Sequence, residues 1–228
     1  GRQPVRGARD KNKKEDTVKT AVITGGAAGL GADVARRLSE AGYRVALFDL
    51  GAERVAEAAG GLKNAVGIEA DVTQPEQVAD AFSALGETPD LLVNNAGIVR
   101  FGPIEEQSVQ DYIDVVNVNL LGSCFCARAV APAMIERGSG HIINFTSING
   151  IHPAPGVGMY GPTKAAMANM TQAMAIEWGP KGIRVNAIAP GAMLPPPGQD
   201  DWHDERARAE IPLLKRGTPA DITRAVLY

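Results

Sequence analysis

From Thr20 onward the chain alternates short β-branched or apolar runs with longer Ala-rich stretches whose apolar residues fall at helical spacing. The runs predict strands at 20–24, 44–48, 65–70, 90–94, 141–145 and 183–188. The stretches predict helices at 30–41, 52–59, 75–85, 110–127 with an extension toward 137, 160–178 and 219–227. Val45-Ala46-Leu47-Phe48 and Leu91-Leu92-Val93 are apolar without a break, as strands buried on both faces must be. Strand–helix repetition with such strands predicts an α/β fold, a doubly wound parallel sheet with helices on both faces. Right-handed crossovers then put the ligand crevice at the carboxyl ends of the strands. The pattern breaks at 192–216, Pro-rich at Pro195-Pro196-Pro197 and charged around 200–210. A long insertion beside the crevice reads as a substrate lid.

Composition narrows this little. With 228 residues, 45% of them hydrophobic, the chain is long enough for one large domain with a substantial core. A net charge of −3 gives no reason to expect nucleic acid or an anionic membrane as partner. No apolar run reads as long enough to span a bilayer. Residues 1–19 are polar and rich in Lys and Arg, and read as a flexible basic tail outside a catalytic domain at 20–228. Cys124 and Cys126 lie two apart in a helical stretch and point to different faces, so they read as packing thiols. That usage fits a reducing, cytoplasmic compartment.

Two clusters carry candidate chemistry. Thr24-Gly25-Gly26-Ala27-Ala28-Gly29-Leu30-Gly31 joins the first strand to the first helix. Glycines there permit a sharp turn and close approach of a pyrophosphate to free N–H groups at the helix start. Asp49, at the end of the second strand, is placed to take both ribose hydroxyls of an adenosine and to repel the 2′-phosphate of NADP. Ala28 and Leu50 supply no compensating base, which favours NAD; Arg44 and Arg54 are the cations able to fold back. Asp71 and Val72 end the third strand. Asn94-Asn95-Ala96-Gly97 ends the fourth, either as cross-strand hydrogen-bonders that make room for a cofactor or as ordinary turn residues.

At the chemical end, Tyr160 and Lys164 lie four apart at the start of a helix, on one face. A phenol titrating near roughly pH 10 becomes a usable acid/base beside a fixed ammonium. Ser147 follows the apolar strand at 141–145 and so faces the same crevice. His141, His152 and His203 are widely separated and read as strand-edge or surface residues, and no metal-ligand cluster is evident.

The glycine loop, Asp71, Asn94-Asn95-Ala96-Gly97, Asn119, Ser147, Tyr160, Lys164 and Pro190-Gly191 appear in an order that resembles the short-chain dehydrogenase/reductase family, from residue 20 to the end. The resemblance implies a single-domain Rossmann-type fold and an oxidoreductase interconverting a secondary alcohol and a ketone. Tyr160 would exchange the proton, Lys164 would lower its pKa and bind the nicotinamide ribose, Ser147 would bind the reacting oxygen, and Asn119 would hold a water linking Lys164 to solvent. The cofactor contacts would be Gly25, Ala28, Gly29, Leu30, Gly31, Asp49, Leu50, Asp71, Val72, Asn95, Ala96, Gly97, Tyr160, Lys164, Pro190 and Gly191. The resemblance also implies a homotetramer or homodimer built on the helices at 110–127 and 160–178.

Two departures stand out. The family's threonine a few residues after Pro190-Gly191 is missing from Ala192-Met193-Leu194-Pro195. The proline-rich run looks like that of pteridine-reductase-like members, which use NADP and often carry an arginine in the glycine loop, absent here. The family also continues past the last helix with a further strand; without it the strand at 183–188 would be a sheet edge. Substrate-pocket candidates are Ile148, Asn149, Ile151, Val157, Met193, Leu194 and Trp202. The alternatives to an NAD-dependent dehydrogenase are an NADPH-dependent reductase of pteridine or 3-oxoacyl type and, more weakly, a dinucleotide sensor without turnover.

Overall fold

The computed structural model describes residues 18–193 and 211–228. Residues 1–17 of the basic tail, the three consecutive prolines, Leu194, Trp202 and His203 lie outside the described residues. Six strands form one parallel sheet: β1 (Thr20–Thr24), β2 (Arg44–Asp49), β3 (Ala65–Glu69), β4 (Leu91–Asn94), β5 (Gly140–Phe145) and β6 (Ile183–Ile188). The helices are α1 (Gly29–Glu40), α2 (Ala52–Gly60), α3 (Pro75–Leu85), α4 (Val109–Val116), α5 (Ser123–Arg137), α6 (Tyr160–Trp178) and α7 (Pro219–Leu227). The predicted elements all exist, within a residue or two at most ends.

Strand order is β3-β2-β1-β4-β5-β6. The chain winds outward from β1 to β3, then crosses back to lay β4 on the other side of β1. The strand order reverses there, and the carboxyl ends of β1 and β4 open a crevice. Alternate strand residues feed two cores. Val22, Phe48, Leu92 and Ile142 pack with residues of α3, α5 and α6 on one face. Ile23, Val45, Val93 and Ile143 pack with residues of α1, α2 and α7 on the other. Burial of both faces explains the unbroken apolar runs. Among the described residues β6 is an edge strand, with Arg184, Asn186 and Ala187 exposed.

Two expectations need correction. The helix predicted as continuous from 110 is interrupted by a π-helical turn at Asn117–Gly122. Its sequence, Asn-Val-Asn-Leu-Leu-Gly, is poor in strong helix formers, but low propensity by itself does not tell a π turn from a weak α-helical one. The second concerns the bilayer. The stretch Val109–Arg137 is long and apolar enough, by length and composition, to cross a membrane. Here it lies on the sheet, with Val115, Cys126, Val130 and Met134 buried in the fold. Cys124 and Cys126 are free thiols.

Candidate active site

The glycine loop turns from β1 into α1 with Gly25 and Gly29 at positive φ. Helix α1 starts at Gly29, and its N-cap Ala28 offers no side-chain cap; its first turn holds no acidic residue. By contrast α4 and α7 are sealed by the capping boxes Ser108–Asp111 and Thr218–Asp221. The amino end of α1 thus keeps N–H groups and partial positive charge for a ligand. Gly31 does not line the crevice. It sits beneath the loop, where a Cβ would come within 2.1 Å of the Gly25 carbonyl oxygen and 2.6 Å of the Asn95 amide. Its role in the structure is to let α1 press against the loop.

The crevice has two compartments. The first, about 490 Å³, is walled by Gly25, Ala28, Gly29, Leu30, Asp49, Leu50, Arg54, Asp71, Val72, Asn95, Ala96 and Gly97, with Phe48, Ala70, Ile98 and Val118. The second, about 370 Å³, is walled by Ser147, Asn149, Val157, Tyr160, Lys164, Pro190, Gly191 and Met193, with Val99, Phe101, Phe145 and Thr146. Leu30, Asn95, Gly97 and Ile98 belong to both, so the two are continuous. Every predicted cofactor residue except Gly31 lines one or the other.

Side chains hold the fork between β1 and β4 open. Thr24 Oγ1 accepts hydrogen bonds from the N–H groups of Asn95 and Ala96, both at 3.1 Å. The Asn95 amide donates to the carbonyls of Thr24 and Gly25 at 3.0 and 3.1 Å. One layer down, Asn94 donates to Asn144 Oδ1 at 2.8 Å, and Asn144 donates to Thr171 Oγ1 at 2.9 Å. This decides between the two readings of Asn94-Asn95: they tie strands together. Asn144 and Thr171 were not singled out from sequence; for Asn144 a polar residue within an apolar strand was the available signal, whereas Thr171 lies on α6.

At the β2 end of the crevice, Asp49 Oδ2 accepts from the Ala27 N–H at 2.9 Å and Oδ1 from the Leu50 N–H at 2.8 Å. Of the two cations able to reach it, Arg44 begins β2 and pairs with Glu87 at the opposite end of the strand. Arg54 does fold back, its Nη2 donating to Asp49 Oδ1 at 2.5 Å. Asp71 Oδ1 accepts from the Thr73 N–H and hydroxyl at 2.9 and 2.8 Å, which fixes the turn after β3.

At the other end, Lys164 is buried and donates from Nζ to the Phe145 carbonyl at 2.8 Å. Burial lowers its pKa to about 8. Nζ lies 5.6 Å from the centre of the Tyr160 ring. The Tyr160 hydroxyl makes no hydrogen bond among the described residues. Ser147 Oγ accepts from the Asn149 N–H at 3.2 Å, leaving its own proton to donate. The neighbouring Thr146 hydroxyl donates to the Ile188 carbonyl at 3.0 Å and is spent on β6. The π turn buries Asn119, whose amide donates to the Ile98 carbonyl at 2.8 Å and accepts from the Ile98 N–H at 2.7 Å. A Cβ on Gly97 would lie 3.3 Å from Asn119 Oδ1 and 3.4 Å from Lys164 Nζ, so both groups flank that glycine. π turns recur at functional sites because the extra residue re-aims a side chain.

Among the pocket candidates, Asn149, Val157 and Met193 line the second compartment, whereas Ile148 and Ile151 are exposed outside it. Val99 and Phe101 were missed because they lie beyond the recognisable end of β4. His141 sits on β5 at the far end of the sheet and His152 is exposed in a loop.

An uncapped helix end, an acid at the end of β2 and a Ser–Tyr–Lys set share one continuous crevice at the carboxyl ends of a doubly wound parallel sheet. The family profile described as short chain dehydrogenase matches residues 19–206, and the chain belongs to that family. It is 38% identical over 221 residues to the 2,5-dichloro-2,5-cyclohexadiene-1,4-diol dehydrogenase LinX of Sphingobium indicum, covering 92% of this chain and 88% of that protein. It is 35% identical over 222 residues to the 3-oxoacyl-(acyl-carrier-protein) reductase FabG of Staphylococcus epidermidis, covering 92% and 90%. A crystal structure of a 3-oxoacyl-(acyl-carrier protein) reductase with bound NAD from Brucella melitensis superposes with a TM-score of 0.86 at 33% identity, covering 92% and 82%.

Proposed function

We propose that the protein is an NAD-dependent dehydrogenase that interconverts a secondary alcohol and a ketone. The observation that carries this is the continuity of the crevice from Asp49 to Tyr160, with an acid for ribose hydroxyls at one end and a proton-transfer group at the other. The residues present fit a nicotinamide dinucleotide: uncapped N–H groups of α1 for the pyrophosphate, Asp49 for the adenosine ribose, and Lys164 with Pro190-Gly191 at the nicotinamide end. When bound, NAD supplies the hydride acceptor.

The chain's own residues supply position and proton transfer. Ser147 donates its hydroxyl proton to the substrate oxygen and orients it. Tyr160 takes the proton from the alcohol, or returns one to the ketone. Lys164 places a positive charge beside the phenol, which favours the phenolate as the proton leaves. Asn119 holds the Ile98 backbone and flanks Gly97 beside Lys164, where a water joining that ammonium to solvent would sit. Val99, Phe101, Val157 and Met193 supply apolar surface to the second compartment, where the carbon chain of the substrate would lie.

Further assignments accompany this reading. Free Cys124 and Cys126 suit a reducing cytoplasm; burial holds the Cys126 thiol protonated, its pKa pushed up to about 12. Exposed Ile113, Leu121, Met170 and Ile176 on the helical stretch from α4 to α5 and on α6 suit a homodimer or homotetramer. The test is nicotinamide absorbance with NAD and NADP in parallel across secondary alcohols. Turnover with NAD is expected. Tyr160→Phe should cost about a thousandfold or more in kcat while leaving NADH binding nearly intact. Near-normal turnover in that variant would sink the assignment.

NADPH-dependent reduction of a carbonyl is the second reading: the likeness to the two reductases supports the direction and the cation at Asp49 supports the cofactor, whereas the NAD bound in the Brucella reductase speaks for the first. Turnover with NADP alone would establish it in place of the first.

A further inference from the structure

Arg54 is the one cationic side chain lining the first compartment among the described residues. It stands in the first turn of α2, and its guanidinium is shared between two acceptors. Nη2 donates to Asp49 Oδ1 at 2.5 Å and to the Leu50 carbonyl at 2.9 Å, and Nε donates to the same carbonyl at 3.2 Å. Nη1 keeps both protons unspent among the described residues. The arginine side chain is 55% exposed whereas that of Asp49 is 13% exposed, so the acid is fixed and the base is free to turn. Asp49 would stay oriented without it, because the Ala27 and Leu50 N–H groups hold its two oxygens separately.

The charges at the ribose end are therefore a largely enclosed, fixed acid with a swinging base beside it. A ribose 2′-hydroxyl needs only an acceptor, which Asp49 provides. A 2′-phosphate meets the carboxylate as a like charge and needs a cation within reach, and a guanidinium is the side chain best shaped for it. We propose that Arg54 sets the cofactor discrimination of this protein: it offsets the charge of Asp49 and turns to pair with a 2′-phosphate, so that the site disfavours NADP without excluding it. The proposal rests on the reading of this crevice as a dinucleotide site.

Direct titration of NADH and NADPH, followed by nicotinamide fluorescence, tests it without knowledge of the substrate. The wild-type protein should bind both, NADH more tightly. Arg54→Gln should weaken NADPH about tenfold or more, the loss expected for one charge-assisted contact, and change NADH less than about threefold. Arg54→Lys should keep most of the NADPH affinity, because it keeps the charge. Equal losses for both dinucleotides in Arg54→Gln would overturn the proposal and leave Arg54 as a mere holder of Asp49. An unchanged NADPH affinity, or a lysine variant no better than glutamine, would overturn it as well. If the wild type bound neither, the dinucleotide reading itself would fall.

Discussion

The two ends of one sheet are built on opposite plans. At the amino ends of the strands polar groups are spent on one another. Thr20 takes Asp90 through its N–H and Glu87 through its hydroxyl, and Glu87 also takes Arg44. Arg137 closes the carbonyls of Thr88, Pro89 and Ser139. His141 bridges to Arg184 and Asn186 on β6. At the carboxyl ends the side chains hold backbone apart instead, as Thr24 and Asn95 do, and leave the Tyr160 hydroxyl, the Ser147 proton and the amino end of α1 available. One end is tied down for stability; the other keeps unsatisfied groups where a ligand can take them.

Paired glycine substitutions break this comparison most sharply. At Gly31, under the nucleotide loop, and at Gly182, before β6 with φ 87°, an added Cβ would come within 2.1 Å of a carbonyl oxygen, of Gly25 and of Gly138 respectively. Gly31→Ala and Gly182→Ala should each lose about 3 kcal/mol or more, since backbone must move and Gly182 is strained as well. Only Gly31→Ala should lose NADH binding. Urea unfolding with NADH titration of both variants checks this; tight NADH binding by Gly31→Ala would contradict the placement of Gly31 as the loop's support.

A smaller effect separates function from stability within the carboxyl end. Lys164 has its pKa lowered from 10.5 to about 8 by burial, so the charged form costs the fold stability. Below about pH 8 both native and unfolded chains are protonated and the cost is fully present. Between about pH 8 and 10.5 the unfolded chain binds the proton the native one lacks, so stability rises with pH. Lys164→Met should remove a cost on the order of 3 kcal/mol, flatten that rise and raise Tm, while abolishing turnover. A Tm that falls would show that the bond to the Phe145 carbonyl outweighs the desolvation.

A shift of similar size at the tied end should have the smallest effect, because His141 is only half-buried and solvent screens it more than Lys164. Burial, and then the charge of Arg184, lower the pKa of His141 from 6.5 to about 4. Between these values the unfolded chain takes up a proton that the native one does not, so stability should decline as pH falls from 6.5 to 4 and level off below. His141→Gln should flatten that slope in Tm against pH without moving the NADH affinity.

The sheet, its order of elements and most of the crevice were legible in the sequence because they depend on local periodicity and on residues at strand ends. Asp49, Ser147 and Tyr160 sit where a strand or helix boundary puts them, and boundaries are local. The π turn was not legible, since low helix propensity over Asn117–Gly122 does not specify a wider turn, and Asn119 finds its partner in the Ile98 backbone 21 positions away. The Asn94–Asn144–Thr171 chain joins residues 50 and 27 positions apart, and only packing selects those partners.

The two arginines show the same division most plainly. Both stand near Asp49 in sequence and both carry a charge able to meet it. Strand direction sends Arg44 to the far end, onto Glu87, while the turn into α2 brings Arg54 back onto the acid. The sequence by itself determined which chemical groups the crevice has, because element type follows from short-range pattern. Which of them meet was decided only by the tertiary structure, because side-chain partners depend on the direction in which each element leaves the sheet.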